Sequence, residues 1–206
     1  LVVWAVKPQT FKEAAEGCRH LTESALHLSV AAGIRSDSIA NWLGTDKVVR
    51  AMPNTPALVG QGMTGLFGRS AVTTEDRALV DSALAPTGTL MWVTDETQLD
   101  AVTALSGSGP AYVFFFLEAM TQAGVDMGLP RTDAHKLAVA TFVGASALAQ
   151  ASDEPPELLR QRVTSKGGTT YAALTHMESH HVKDLFIQAM QAAAARAKAL
   201  GDEFGR

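Results

Sequence analysis

Apolar residues run without alternation through Leu1-Val2-Val3-Trp4-Ala5-Val6 and stop at Lys7-Pro8. A short continuous run closed by proline predicts a fully buried strand. A helical stretch is expected around Thr10 to Leu21, then a second strand over Leu26 to Val30 ending in the small residues Ala31-Ala32-Gly33. Ser36 to Leu43 reads as a short helix closed by Gly44, and Lys47 to Met52 as a third strand closed by Pro53. Thr73-Thr74-Glu75-Asp76 opens a helix to about Leu84, and Thr89 to Val93 is a further strand. Strands alternating with helices predict an open, mainly parallel α/β sheet, in which ligands lie beyond the carboxyl ends of strands.

From Gln98 the pattern turns helical. Leu99 to Leu105 is amphipathic and runs into Ser106-Gly107-Ser108-Gly109-Pro110, where the proline suits the first turn of a helix reaching Ala123. Further helices are expected over Thr132–Gln150, Glu157–Val163, Thr170–Glu178 and Val182–Leu200, with a joint at His180-His181. The fold class is therefore α/β plus all-α, with residues 1–97 forming a nucleotide-type sheet and 98–206 a helical domain. Tyr112-Val113-Phe114-Phe115-Phe116-Leu117 has no polar side. A helix apolar all round needs neighbours on every face, which predicts association through this domain, most simply as a homodimer.

Composition narrows the functional classes. A net charge of -4 and the lack of a basic stretch give no field for nucleic acid. The apolar run from Ala111 ends at Glu118, too short to span a membrane. With one cysteine, Cys18, no internal disulfide forms; a reducing compartment is expected, with Cys18 as a small buried hydrophobe.

The chemistry centres on Val163-Thr164-Ser165-Lys166-Gly167-Gly168-Thr169-Thr170-Tyr171. Two glycines let backbone approach a ligand, and the helix behind them offers N–H groups and a partial positive charge to a small anion. Plain helix capping by Thr169 and Thr170 is the alternative. The strand ends Ala5-Val6-Lys7-Pro8, Val30-Ala31-Ala32-Gly33 and Met52-Pro53-Asn54-Thr55-Pro56 fit a nucleotide lying across them, although core packing also uses small residues. Gly60-Gln61-Gly62-Met63-Thr64-Gly65 matches a dinucleotide fingerprint by letter, yet neither a strand before it nor a helix after it is predicted, so a turn and short strand are expected. Ser106–Gly109 lacks the frame of a nucleophile elbow and reads as a helix-start turn. His176 and His180 lack the H-E-x-x-H arrangement, and no metal site is expected. Glu96 is either an exposed acid at a helix start or a group facing a cleft.

Four blocks, Ala5-Val6-Lys7-Pro8-Gln9, Val49 to Pro56, Leu105 to Tyr112 and Val163 to Thr170, resemble in order and spacing the motifs of pyrroline-5-carboxylate reductases. The likeness runs through Gly201-Asp202-Glu203-Phe204-Gly205. It implies a Rossmann-type domain followed by a helical dimerisation domain, NADPH or NADH as cofactor, and reduction of 1-pyrroline-5-carboxylate to L-proline. It also implies a cytoplasmic protein whose dimers assemble into decamers, without nucleic-acid or membrane partners. By the same resemblance Ala5, Val6, Lys7, Pro8, Val30, Ala31, Ala32, Asn54 and Thr55 line the cofactor. Glu96, Ser165, Gly167, Gly168, Thr169 and Thr170 face the substrate, with the Thr170 hydroxyl, or a water, at the ring nitrogen. Arg162 falls where members of the family vary. Roughly the first sixty residues of a typical member, including the phosphate-binding glycine loop, would precede Leu1. Two other readings stand beside this one: a related NADP-dependent imine reductase or dehydrogenase, and a non-catalytic dimerising fragment.

Overall fold

Residues 1–204 are described by a computed structural model; Gly205 of the terminal block lies outside them. Five strands, β1 (Val2–Trp4), β2 (His27–Ser29), β3 (Val48–Met52), β4 (Gly62–Gly68) and β5 (Gly88–Trp92), form one sheet in that order. β1, β2 and β3 are parallel, β4 runs antiparallel to β3, and β5 is parallel to β4. The sheet is thus mainly parallel, as the alternation of strands and helices predicts. The fingerprint-like glycines lead into β4 rather than into a helix, with Gly60 turning the chain at φ 70.

Nine α-helices accompany the strands among the described residues: α1 (Pro8–Thr22), α2 (Ser36–Leu43), α3 (Thr74–Leu84), α4 (Gln98–Val102), α5 (Gly109–Asp126), α6 (Arg131–Gln150), α7 (Pro156–Arg162), α8 (Thr169–Ser179) and α9 (Val182–Phe204). Their ends follow local chemistry. Pro8 occupies the first turn of α1, where its missing N–H costs nothing. α3 opens with a capping box, in which the Thr73 hydroxyl accepts from the Asp76 N–H and the Asp76 carboxylate accepts from the Thr73 N–H. His181, at φ 54, makes the joint between α8 and α9.

Adjacent residues of β3 show how the core is divided. Val48 joins Trp4, Phe11 and Ile39 in one buried cluster, whereas Val49 joins Leu28, Leu66 and Val80 in another. A period of two sends neighbours to opposite faces, so both faces of β3 are covered.

Two expectations need correction. β1 is not fully buried among the described residues: Val3 is 53% exposed. Val3 pairs with Leu28 and shares its face but is not part of the apolar cluster around Leu28. Cys18 is exposed rather than buried. α1 buries Phe11 and Ala15, but residues 16–21 beyond them are all exposed.

Contacts divide the chain into two compact units, Leu1–Pro110 with the chain from Ala189 onward, and Ala111–Gln188. The domain boundary expected at residue 97 rests on the change to a helical pattern from Gln98.

Candidate functional site

In the first unit, the parallel strands bring the predicted cofactor residues to one edge of the sheet. Trp4 and Ser29 are register partners, as are Ser29 and Arg50, so the chains leaving β1, β2 and β3 emerge side by side. The Val30 N–H donates to the Trp4 carbonyl at 3.1 Å and ties the first two loops together. Ala5, Val6 and Lys7 link β1 to α1, Val30 to Arg35 link β2 to α2, and Pro53 and Asn54 follow β3. Val6 and Ala31 pack into the apolar core, so a ligand at this edge would meet their backbone. Ala5, Lys7 and Ala32 are exposed, and Ala5 and Ala32 leave room for a flat ring system. The residues present at this edge fit the nicotinamide end of a dinucleotide.

Asn54 is more constrained than its sequence position suggests. Its side-chain N–H groups donate to the carbonyl and hydroxyl of Ser106, both at 3.2 Å, and its oxygen accepts from the Met63 N–H at 2.9 Å. Ser106 belongs to a π-helical turn, Thr103–Gly107, rather than to a plain helix start. The amide of Asn54 therefore holds β4 and that turn in place, while Thr55 starts a 3-10 turn, Thr55–Val59.

Glu96 also has its partners within the first unit. One carboxylate oxygen accepts from the Ser36 N–H at 2.6 Å and from Arg50 at 2.5 Å; the other accepts from the Ser36 hydroxyl at 2.5 Å. Arg50 and Ser36 are buried. The position preceding α2, Arg35, offers no side-chain cap, so Glu96 supplies that cap from 60 residues away.

In the second unit, the central loop runs from the end of α7 to the start of α8. The Thr164 hydroxyl donates to the Arg160 carbonyl at 2.6 Å and anchors the loop's beginning. Gly167 turns at φ 77, a conformation that favours glycine. The Gly168 N–H donates to the Ser165 carbonyl at 3.0 Å, closing the turn before α8. No side chain caps α8, and the hydroxyls of Thr169 and Thr170 have no hydrogen-bond partner among the described residues. Its first N–H groups thus have no side-chain acceptor, which argues against simple capping by the threonines.

A cleft of about 400 Å³ in this unit is lined by Arg160, Thr164, Lys166, Tyr171 and Glu178 among others. It does not include Gly168, Thr169 or Thr170, and Arg160 is paired with Glu178 at 3.3 Å. The uncapped start of α8 lies outside this cleft. Arg162 pairs with Glu154.

The structure groups the nine cofactor candidates at one sheet edge of the first unit, and Ser165, Gly167, Gly168, Thr169 and Thr170 in one turn of the second. Glu96 lies in the first unit. Sequence reasoning missed Ser36 and Arg50 around Glu96, Ser106 and Met63 around Asn54, and Thr164 as the loop's anchor. The serine and glycine run at 106–109 was the one available signal, since it marks the π-turn.

Comparisons with known proteins agree in one direction. The family model described as pyrroline-5-carboxylate reductase dimerisation matches residues 96–200. A pyrroline-5-carboxylate reductase of Pseudomonas aeruginosa is 42% identical over 208 residues, covering 100% of this chain and 76% of that protein. One of Pisum sativum is 40% identical, covering 97% of this chain and 73% of the relative. Among solved structures, the pyrroline-5-carboxylate reductase of Coxiella burnetii superposes with a TM-score of 0.91 at 40% identity, covering 97% of this chain and 75% of that one. The Plasmodium falciparum pyrroline carboxylate reductase with NADP bound gives 0.90 at 32% identity, covering 97% and 80%.

Proposed function

Because the chain belongs to the pyrroline-5-carboxylate reductase family, we propose that it reduces 1-pyrroline-5-carboxylate to L-proline with NADPH or NADH, the last step of proline synthesis. The observation that carries this reading is the uncapped start of α8 behind Gly167 and Gly168, in a chain that matches these reductases along its whole length.

In this reading residues 1–97 are the remainder of the Rossmann-type domain and 98–206 bind substrate and pair subunits. Ala5, Val6, Lys7, Pro8, Val30, Ala31, Ala32, Asn54 and Thr55 line the cofactor. When bound, the reduced nicotinamide supplies the hydride for the imine carbon. The N–H groups at the start of α8 hold the substrate carboxylate, with Ser165, Gly167 and Gly168 shaping the turn. The hydroxyl of Thr170, or a water, hydrogen-bonds the ring nitrogen, which gains or keeps a proton as the C=N bond becomes C–N.

The outward apolar residues of the helical part, Phe114 at 57% and Phe115 at 66% exposure, support a homodimer, as does the dimerisation family model. Assembly of dimers into decamers and a cytoplasmic location belong to the same proposal. No helix among the described residues is long and apolar enough to cross a membrane.

The deciding assay uses the intact enzyme and follows NAD(P)H oxidation with pyrroline-5-carboxylate or other cyclic imines, and NAD(P)+ reduction with 3-hydroxy acids. Preference for pyrroline-5-carboxylate supports the reading. A preference for another imine or for a hydroxy acid refutes it.

A further inference from the structure

The group around Glu96 does more than join two segments of chain. Its carboxylate meets the backbone and hydroxyl of Ser36, the first residue of α2, and Arg50 of β3 holds it there. Arg69 adds a bond to the Ser36 hydroxyl at 3.2 Å and ion pairs to Asp37 and Asp46. Ser36 ends the segment that begins with Val30, Ala31 and Ala32, the stretch assigned to the cofactor. Between them the loop is pinned again. Gly33, at φ 75, leaves so little space that an added Cβ would come within 3.1 Å of Leu200 and 3.2 Å of Phe204, and Arg35 pairs with Asp202 at 3.3 Å.

We propose that Glu96 is a positioning residue for the cofactor: by capping α2 it fixes the loop Val30–Arg35, with Arg50 and Ser36 as the other two members of the clamp. This rests on the assignment of Val30, Ala31 and Ala32 to NAD(P)H in the proposed function. Both oxygens of Glu96 are committed to these partners, so contact with a substrate would require it to leave a buried arginine and an uncapped helix end. Acting through the loop, it governs how well the cofactor is held. Because its carboxylate is bonded to Ser36 and Arg50 and acts through the loop, its loss registers as weaker cofactor binding rather than weaker substrate binding.

The test measures KM for NAD(P)H and for the imine separately in the intact enzyme, with a cofactor Kd from fluorescence quenching. Glu96→Gln keeps the shape and part of the hydrogen bonding but removes the charge; Ser36→Ala removes one hydroxyl and leaves the charge pair. Glu96→Gln should raise the cofactor KM and Kd by about tenfold, and Ser36→Ala by about threefold, while the imine KM stays within about twofold. Glu96→Asp, which restores the charge one methylene short, should recover part of the loss. A rise in the imine KM alone, or no change in cofactor affinity in a folded variant, overturns the proposal. Should Glu96→Gln fail to fold, Ser36→Ala decides on the same criteria. A wild-type enzyme inactive on the imine refutes the functional reading itself, whereas an active wild type with unshifted variants refutes only the clamp.

Discussion

The indole N–H of Trp4 donates to Nδ1 of His27 across 2.9 Å, between buried side chains of neighbouring strands. This bond fixes the tautomer. Nδ1 must be an acceptor, so the ring proton sits on Nε2, 3.2 Å from the Thr22 carbonyl. The rings also stack, with centroids 5.9 Å apart.

A pH dependence of stability follows. Burial pushes the His27 pKa below its ordinary value of 6.5, with the Thr22 carbonyl opposing the shift. A folded-state pKa depressed in this way means that the unfolded chain binds more protons near pH 6. The contribution to stability is therefore complete above the unfolded value and is lost as pH falls through 6.5 towards the folded value. Protonation would also set an N–H of His27 against that of Trp4. Unfolding free energies from urea titrations should be flat above pH 7.5 and fall below pH 6.5, by up to about 1.4 kcal/mol per pH unit for this one proton. In His27→Gln the slope should be smaller, and equal slopes in the two proteins would exclude His27 as its source.

Gly168 is the tightest point of the loop before α8. A Cβ there would lie 2.7 Å from Ser165 Oγ and 3.2 Å from the Ser165 carbonyl oxygen. Gly168→Ala should therefore open the turn and raise the imine KM by about tenfold or more, with little change in cofactor KM. Adding Ser165→Ala removes the hydroxyl contact but leaves the backbone one, so the double variant should recover only part of the loss. Full recovery would show that the backbone contact imposes nothing.

How much of this was legible in the chain depended on how local each cause was. Ser36–Leu43 could be read because Gly44 stops it, and α3 because Thr73 and Asp76 cap it within four residues. The central loop was legible for the same reason, since glycines followed by threonines before an apolar helix are a neighbour pattern. The partners of Glu96 were not, because its bonds to Arg50 and Ser36 join residues 46 and 60 apart in sequence. The exposure of Cys18 depends on α1 extending past its buried residues, and that of Val3 on what packs over its face of the sheet. Neither fact has a signature in neighbouring residues.

Thr170 carries the one side-chain hydroxyl assigned to the reacting nitrogen. Thr170→Ala should lower kcat by about ten- to a thousandfold, the range for loss of a positioned donor, and leave cofactor affinity unchanged. Thr170→Ser, which keeps the hydroxyl, should retain most of the turnover. Wild-type turnover in Thr170→Ala would remove this side chain from the reaction and leave the water as the group concerned.

Asn54 makes three hydrogen bonds that no single other residue type of its size reproduces. Aspartate can accept from the Met63 N–H but cannot donate to Ser106. Asn54→Asp should destabilise the protein by about 1–3 kcal/mol, because the two Ser106 acceptors lose their donor and a carboxylate replaces it. Chemical denaturation measures this directly. If the midpoint does not move, the amide is not what holds the π-turn, and its place beside the cofactor loops would need another cause.

The last prediction concerns α5. Tyr112 and Phe116 pack edge-on against Phe186, with centroids 5.9 Å and 5.5 Å apart, and so anchor one side of the helix. Phe114 and Phe115 face outward, more than half exposed. Aromatic surface of this extent seldom stays in water on a stable monomer, and a second copy of the chain is the partner proposed for it. Glutamate at position 115 would place a charge in that interface, where desolvation is costly, but would cost little on a surface that remains in water. Phe115→Glu should therefore shift the protein from dimer towards monomer in analytical ultracentrifugation while the far-ultraviolet circular dichroism stays helical. An unchanged dimer, with the same concentration dependence as the wild type, would mean that this face of α5 lies outside the subunit contact.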